Sequence, residues 1–191
     1  MAVPNMLPST FSFRQVYKKD FAEEIATSYQ PGNYHRVNIG DMLDGRYEVL
    51  QKIGVGRFST VWLANKLESH YFHDLTNGRT HRLVALKVLA HEKGAHELEV
   101  MLRINHFGQD GKPGSRNVIK LLDHFEINGP NGKHLCLVLE YMWHTVADFL
   151  RSYGDEPELR LAFAKIISQQ LLEGLSFLHG SRIMHNGNSI K

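Results

Sequence analysis

Two glycines that lie close together are the first residues in this sequence whose spacing suggests chemistry. Gly54 and Gly56 stand in the run IGVGRFSTV, residues 53–61. Glycine lets backbone N–H groups approach a phosphate because no side chain lies in the way. Glycine pairs also occur in hairpin turns for steric reasons alone, so this pair by itself is a weak sign of phosphate binding.

Lys87 is the second such residue. It carries the only charge in the run LVALKVL, residues 83–89. A lysine among apolar neighbours is costly to bury unless an anion pairs with it. The alternative is a lysine at a strand edge whose ammonium reaches water. Its place in the strand that follows a glycine hairpin favours a phosphate partner.

Glu97 and Glu99 are the carboxylates that could pair with this lysine. Both belong to the predicted helix that follows the lysine strand. A glutamate on an amphipathic helix is usually just solvated, but a lysine in need of a counter-ion makes pairing more plausible. The residues alone do not choose between Glu97 and Glu99.

The elements that must position these residues form an α+β order. The sequence predicts five strands (47–53, 58–64, 83–89, 118–127 and 134–140) and three helices (96–105, 145–152 and one starting near 156). The glycine turn joins the first two strands as an antiparallel hairpin. Strands followed by a separate group of helices are typical of an α+β fold rather than a parallel α/β sheet. A dinucleotide-binding fold would need a helix directly after the glycines, whereas a strand follows here.

Bulk properties exclude several function classes. The 191 residues carry 22 basic and 20 acidic side chains, which gives no case for nucleic-acid binding. No run is apolar for long enough to cross a membrane, and no secretory signal is evident. The single cysteine, Cys136, stands in an apolar run and is expected to be a buried core residue in a reducing compartment. Cytoplasm or nucleus is therefore expected. His91 and His96, at i and i+5, do not share a helix face, so no metal site is predicted.

These motifs resemble those of eukaryotic protein kinases. GVGRFSTV, residues 54–61, resembles the kinase glycine-rich loop, and VALK, residues 84–87, resembles the motif of the third kinase strand. YHRVNIGD, residues 34–41, is similar to the segment before the glycine loop in SR-protein kinases. The resemblance covers residues 34–185. It implies a protein-kinase-like fold with a five-stranded antiparallel sheet and one helix.

The resemblance also implies a domain division and a set of roles. Residues 1–33 are expected to be a poorly ordered leader, 34–142 the ATP-binding lobe, and 143–191 the start of an incomplete helical lobe. The implied activity is ATP-dependent phosphorylation of Ser/Arg-rich protein substrates. Gly54, Val55, Gly56 and Ser59 would roof the phosphates; Ile53, Val61 and Ala85 would line the adenine slot; Lys87 would bind the α- and β-phosphates and pair with Glu97, with Glu99 as the alternative; Leu139 matches the gatekeeper, and Glu140 and Met142 match the hinge.

The sequence departs from the kinase pattern after His185. The family has an aspartate two residues later, where this chain has Gly187. A short deletion would place Asn188 at the metal-binding asparagine, but the aspartate would still be absent, as is the DFG motif. Mg²⁺ is thus expected for the family while its ligands are missing here. The alternatives are a catalytically dead pseudokinase or truncated isoform that binds a partner through the helix stripe at Ile167, Leu171 and Leu178, or an incomplete gene product without a selected role.

Overall fold

The fold is a six-stranded antiparallel sheet with two helices. The computed structural model describes Tyr29 and residues 33–67, 82–90, 94–109, 111–142, 145–147 and 157–183. The strands are β1 (Met42–Leu43), β2 (Tyr47–Gly56), β3 (Ser59–Lys66), β4 (Arg82–Leu89), β5 (Leu121–Gly129) and β6 (Gly132–Glu140); the helices are α1 (Ala95–Gly108) and α2 (Pro157–Gly180), with a 3₁₀ turn at Ser115–Asn117. The strand order is β1-β2-β3-β4-β6-β5. The predicted α+β class is confirmed.

The predicted strand count was one too low. Met42 and Leu43 pair with Glu48 and Tyr47 as the extra edge strand β1. The chain reverses between them through Asp44, whose φ is 52°, and Gly45, whose φ is 64°. Two residues are too short to produce the alternation from which a strand is predicted, so the sequence pattern could not reveal β1.

Several predicted segments lie outside the described residues. They include 1–28 of the expected leader and the whole of 184–191, where the catalytic loop would fall. Of the short helix predicted at 145–152, residues 145–147 are described, and 146–147 are helical. No helix within the described ranges is long and apolar enough to span a membrane.

The side chains of strand β4 alternate between two apolar clusters, one on each face of the sheet. Its even-numbered residues Val84, Leu86 and Val88 are buried in an outer cluster, which also contains Val37 from the chain before β1. Its odd-numbered residues face the other side, where Leu89 packs with a cluster that includes Met101 from α1. Successive side chains of a strand point to opposite faces, so Ala85 and Lys87 belong to the side covered by α1. We call this side the inner face.

Cys136 lies in the outer cluster at the centre of the sheet. Its side chain has no exposed surface, which confirms the predicted core position. Burial raises the pKa of the Cys136 thiol, because the thiolate would lose its hydration. The thiol is therefore a neutral, apolar filler of the core.

Helix α2 docks on the α1–β5 connection through its C-terminal half. Phe177 is buried beside Met101, and Gly174 is buried against Asn117. The Asn117 Nδ2 donates a hydrogen bond of 2.9 Å to a carboxylate oxygen of Glu173. These contacts join the helical part of the chain to the inner face of the sheet.

The prediction that Ile167, Leu171 and Leu178 form one exposed stripe was wrong in part. Leu178 packs against the inner cluster, and Ile167 is half-buried. The docked face of α2 runs through 174, 177, 178 and 181, which turns a different set of apolar side chains outward. The large apolar residues exposed on α2 are Leu159, Leu161, Ile166, Leu171, Leu172 and Leu175.

Candidate functional site

The glycine hairpin is closed by strand pairing up to its last residues. Gly54 lies opposite Val61, and Gly56 lies opposite Ser59. A Cβ on Gly54 would come within 3.3 Å of the Val61 Cβ, which is tighter than ordinary packing. The pairing register shifts between Lys52 and Gly54, so the strand is irregular just where the turn begins. The hairpin thus has closely spaced backbone, with no side chain at positions 54 and 56.

The sheet register brings the glycine hairpin and the lysine into one row. Val61 of β3 lies opposite Gly54 on one side and Lys87 on the other, and Lys87 lies opposite Leu137 of β6. Residues directly opposite each other on neighbouring strands share a face of the sheet. Val61, Lys87 and Leu137 therefore all belong to the inner face.

A second row, two residues along, contains Ala85 of the predicted adenine slot and Leu139, which matches the gatekeeper. Ala85 lies opposite Leu63 on β3 and opposite Leu139 on β6. Because the side-chain period of a strand is two, Ala85 and Leu139 share the inner face with Lys87. Ala85 is buried and Leu139 is half-buried. Together the two rows form an apolar wall with a single cation in it.

Lys87 meets Glu97 at the inner face. The Lys87 Nζ lies 2.5 Å from the Glu97 Oε1, with 27% of the lysine side chain and 36% of the glutamate side chain exposed. Glu99, the alternative partner, is exposed to solvent. The structure therefore brings together Lys87 and Glu97, and places Glu99 on another side of the helix.

Gly94 allows the start of α1 to come close enough for this contact. A Cβ on Gly94 would lie 2.8 Å from side-chain atoms of both Leu89 and Leu135. The Gly94 carbonyl accepts the Leu98 N–H at 3.0 Å as the helix begins. Glycine thus seats the first turn of α1, which contains Glu97, directly against β4 and β6.

The Lys87–Glu97 ion pair positions the Lys87 ammonium more than it stabilises the fold. Partly exposed pairs of this kind contribute about 0–1 kcal/mol, because water screens them and two long side chains lose freedom. Its main effect is to hold the Lys87 ammonium at one point of the apolar wall. A second anion could approach that ammonium from the open side.

The wall ends at Glu140 and Met142. The Glu140 N–H donates to the Lys120 carbonyl at 3.4 Å, and its carboxylate lies 4.0 Å from the Lys120 ammonium. Met142, two residues past β6, is 60% exposed. The backbone after Leu139 therefore leaves the sheet beside the Ala85 row, where a planar ligand would find peptide groups at its edge.

Within the described ranges, no group of three or more His, Cys, Asp or Glu residues could hold a metal ion. Residues 184–191, where the metal-binding asparagine of the kinase family would fall, lie outside those ranges. The described residues therefore do not by themselves supply a Mg²⁺ site.

Sequence reasoning did not anticipate the contact made by Tyr34. Its hydroxyl donates a hydrogen bond of 2.6 Å to the Gly56 carbonyl at the tip of the hairpin. The partners are 22 residues apart and belong to no common periodic pattern. No signal in the sequence would have joined them.

Comparison with known proteins agrees with this geometry. Residues 47–187 match the sequence profile described as the protein kinase domain. This chain belongs to the protein kinase family.

Its curated relatives narrow the resemblance to one branch. The chain is 34% identical to the serine/threonine-protein kinase SKY1 of Saccharomyces cerevisiae over 82% of its length. It is 33% identical to the serine/threonine-protein kinase SRPK of Physarum polycephalum over 87%, and 32% identical to the human SRSF protein kinase 3 over 96%. The matched region spans 21%, 37% and 30% of these three relatives, respectively, so the chain corresponds to a minor part of each.

Proposed function

We propose that this chain binds ATP on the inner face of its sheet, as the nucleotide-binding lobe of a serine/threonine protein kinase of the SR-protein kinase type. The observation that carries the proposal is the Lys87–Glu97 contact of 2.5 Å in the row that also holds Gly54 and Val61. A lysine fixed between a carboxylate and two phosphates is how kinases orient ATP.

Each side of the nucleotide has a proposed partner. The N–H groups of Gly54, Val55, Gly56 and Ser59 roof the phosphates, and Lys87 binds the α- and β-phosphates. Ile53, Val61 and Ala85 enclose the adenine. The backbones of Glu140 and Met142 hydrogen-bond its edge. This assignment is supported by the shared inner face of Val61, Ala85 and Lys87.

Phosphoryl transfer needs more than this lobe. Mg²⁺ supplies neutralisation of the phosphate charge when it is bound. The contribution of the described residues is to position the nucleotide and to exclude water from the adenine. From the name of the relative SRSF protein kinase 3, we propose that the substrate class is Ser/Arg-rich protein. From the single buried cysteine, we propose that the chain works in cytoplasm or nucleus.

Thermal unfolding with and without ATP tests the proposal. A ligand at 100 times its dissociation constant stabilises the folded state by about 2.7 kcal/mol. We expect ATP to stabilise the wild type and to stabilise Lys87→Met much less. Lys52→Met is the matched control, because the Lys52 ammonium lies over the Trp62 ring, 5.3 Å from its centroid, and Trp62 is in the outer cluster. An equal response of Lys87→Met and Lys52→Met would contradict the ATP site.

A second candidate function is a binding module that acts through α2. Four apolar residues of this helix expose more than half of their side chains: Leu161, Ile166, Leu171 and Leu172. Apolar patches of this kind mark surfaces that another chain covers. Apolar dye binding and size-exclusion chromatography with light scattering test this function; a chain that is monomeric and binds no dye would remove its basis.

A further inference from the structure

The hydroxyl of Tyr34 makes a side-chain hydrogen bond to the hairpin tip. It donates to the Gly56 carbonyl at 2.6 Å. Gly56 is the last residue of β2, and only Arg57 and Phe58 separate it from β3. A bond at this point acts on the segment that would cover the phosphates.

The backbone of Tyr34 is itself held in place by a hydrogen bond. The Asn131 Nδ2, in the turn between β5 and β6, donates to the Tyr34 carbonyl at 2.9 Å and to the Tyr29 carbonyl at 2.8 Å. The next residue, His35, lies against His134 with ring centroids 5.1 Å apart. Because these contacts hold the Tyr34 carbonyl and the residue that follows it, the Tyr34 hydroxyl donates from an anchored segment.

The direction of approach determines what the bond does. Val37 packs with Leu86 and Val88 in the outer cluster, so the segment from Tyr34 to Val37 lies on the side of the sheet opposite Lys87. The Tyr34 hydroxyl therefore fixes the direction of the Gly56 carbonyl. In a planar trans peptide the N–H of the next residue, Arg57, points opposite to that carbonyl, so the bond also fixes the direction of this N–H.

Turning this peptide over rotates ψ of Gly56 and φ of Arg57, and the absence of a Cβ on Gly56 makes its ψ easy to change. A turned peptide would direct a carbonyl oxygen, instead of an N–H, at bound phosphates. We propose that Tyr34 is a positioning residue for nucleotide binding: its bond to Gly56 keeps the hairpin tip in the orientation that accepts a polyphosphate. This inference rests on the proposed function.

Comparison of ATP with adenosine in Tyr34→Phe tests the inference, because this change removes only the hydroxyl and adenosine has no phosphates. We expect ATP to bind about fivefold more weakly, equivalent to roughly 1 kcal/mol for one hydrogen bond, while adenosine affinity changes by less than about twofold. Tyr29→Phe, which removes the same group from the neighbouring ring 6.3 Å away, is the matched control and should change neither affinity. Isothermal titration calorimetry measures the six affinities, for the two ligands with wild type and both variants.

A second measurement follows the opening of the hairpin tip in the absence of nucleotide. Hydrogen exchange at the Arg57 and Phe58 amides should be faster in Tyr34→Phe than in Tyr29→Phe, because the tip opens more often. If Tyr34→Phe folds poorly, Asn131→Ala takes its place in the test. This change frees the Tyr34 backbone and should show the same ATP-selective loss.

The outcomes separate this inference from the proposed function. If the wild type binds both nucleotides and Tyr34→Phe weakens them equally or not at all, the positioning role is overturned and the ATP site stands. If the wild type binds neither adenosine nor ATP, the proposed function and the positioning role both fall. Selective loss of ATP affinity with faster exchange at the tip supports the role.

Discussion

The Lys87 ammonium and the Glu97 carboxylate meet at 2.5 Å across the boundary between strand β4 and helix α1. Only ten residues separate them in the chain, and the turn between strand and helix includes Gly94. The close packing of Gly94 against Leu89 and Leu135 places the first helical turn where this contact is possible. The position of α1 is therefore set by its packing on the sheet and not by the ion pair.

Neutralising Glu97 should weaken ATP binding without unfolding the protein. We expect Glu97→Gln to reduce ATP affinity about tenfold, because Lys87 is no longer held beside the phosphates. The loss in unfolding free energy should stay below about 1 kcal/mol, since the pair is partly exposed. Calorimetric titration and urea unfolding measure the two effects. Glu99→Gln is the matched control on the same helix, and a similar loss of affinity in both variants would refute the assigned pairing.

The contact between Gly114 and Glu173 predicts a strong dependence of stability on one glycine. A Cβ at Gly114 would overlap the Glu173 backbone carbonyl, and the residue has a φ of 84°. Gly111 also has a positive φ, of 63°, but open space around it. Gly111→Ala should therefore cost about 1 kcal/mol from backbone strain alone. Gly114→Ala should cost about 2–4 kcal/mol, because the collision adds to that strain.

Urea unfolding of these two alanine variants measures the difference. The Gly114→Ala variant should also expose Phe177, since α2 must move away from the α1–β5 connection. Equal destabilisation of the two variants would mean that α2 is not seated on Gly114.

The lowered pKa of His35 predicts that the free energy of unfolding decreases toward acid pH. Burial, and then the nearby His134, lower the pKa of His35, although Asp41 opposes them. Because its folded-state pKa lies below its unfolded value, the unfolded chain binds more protons below about pH 6.5, and stability falls as the pH drops through that value. One group can change the slope by at most about 1.4 kcal/mol per pH unit, and partial exposure of His35 reduces this figure.

Urea unfolding at pH 7.5 and pH 5.5 compares wild type with His35→Gln. The variant should lose less stability on acidification, because the titrating group is gone. His124→Gln removes an exposed histidine from β5 and serves as the control. An unchanged pH dependence in His35→Gln would contradict the prediction.

Much of the fold follows from local patterns in the sequence. The runs around Leu50, Leu86 and Leu137 are rich in apolar and β-branched residues, and each became a strand with boundaries within a few residues of those predicted. Lys87 could be singled out because one charge in an apolar strand is expensive without a partner. These features depend on neighbours in sequence, which is why they were accessible.

The remaining features depend on how distant segments meet. The choice of Glu97 over Glu99 depends on the rotation of α1, which Gly94 sets by packing on β4 and β6. The outward-facing residues of α2 depend on which side docks, and Gly174 with Phe177 decides this. The bond from Tyr34 to Gly56 joins segments 22 residues apart. No periodicity within one element contains such information.

Because the only cysteine is buried, the rate of its chemical modification reports how often the sheet opens. A thiol reagent attacks the thiolate, and Cys136 presents neither a thiolate nor accessible surface while the sheet is closed. Modification must wait until β4 and β6 part, so its rate follows the opening of the sheet's interior. Alkylation of this one site, read by mass spectrometry, would time that opening without any added label or substitution.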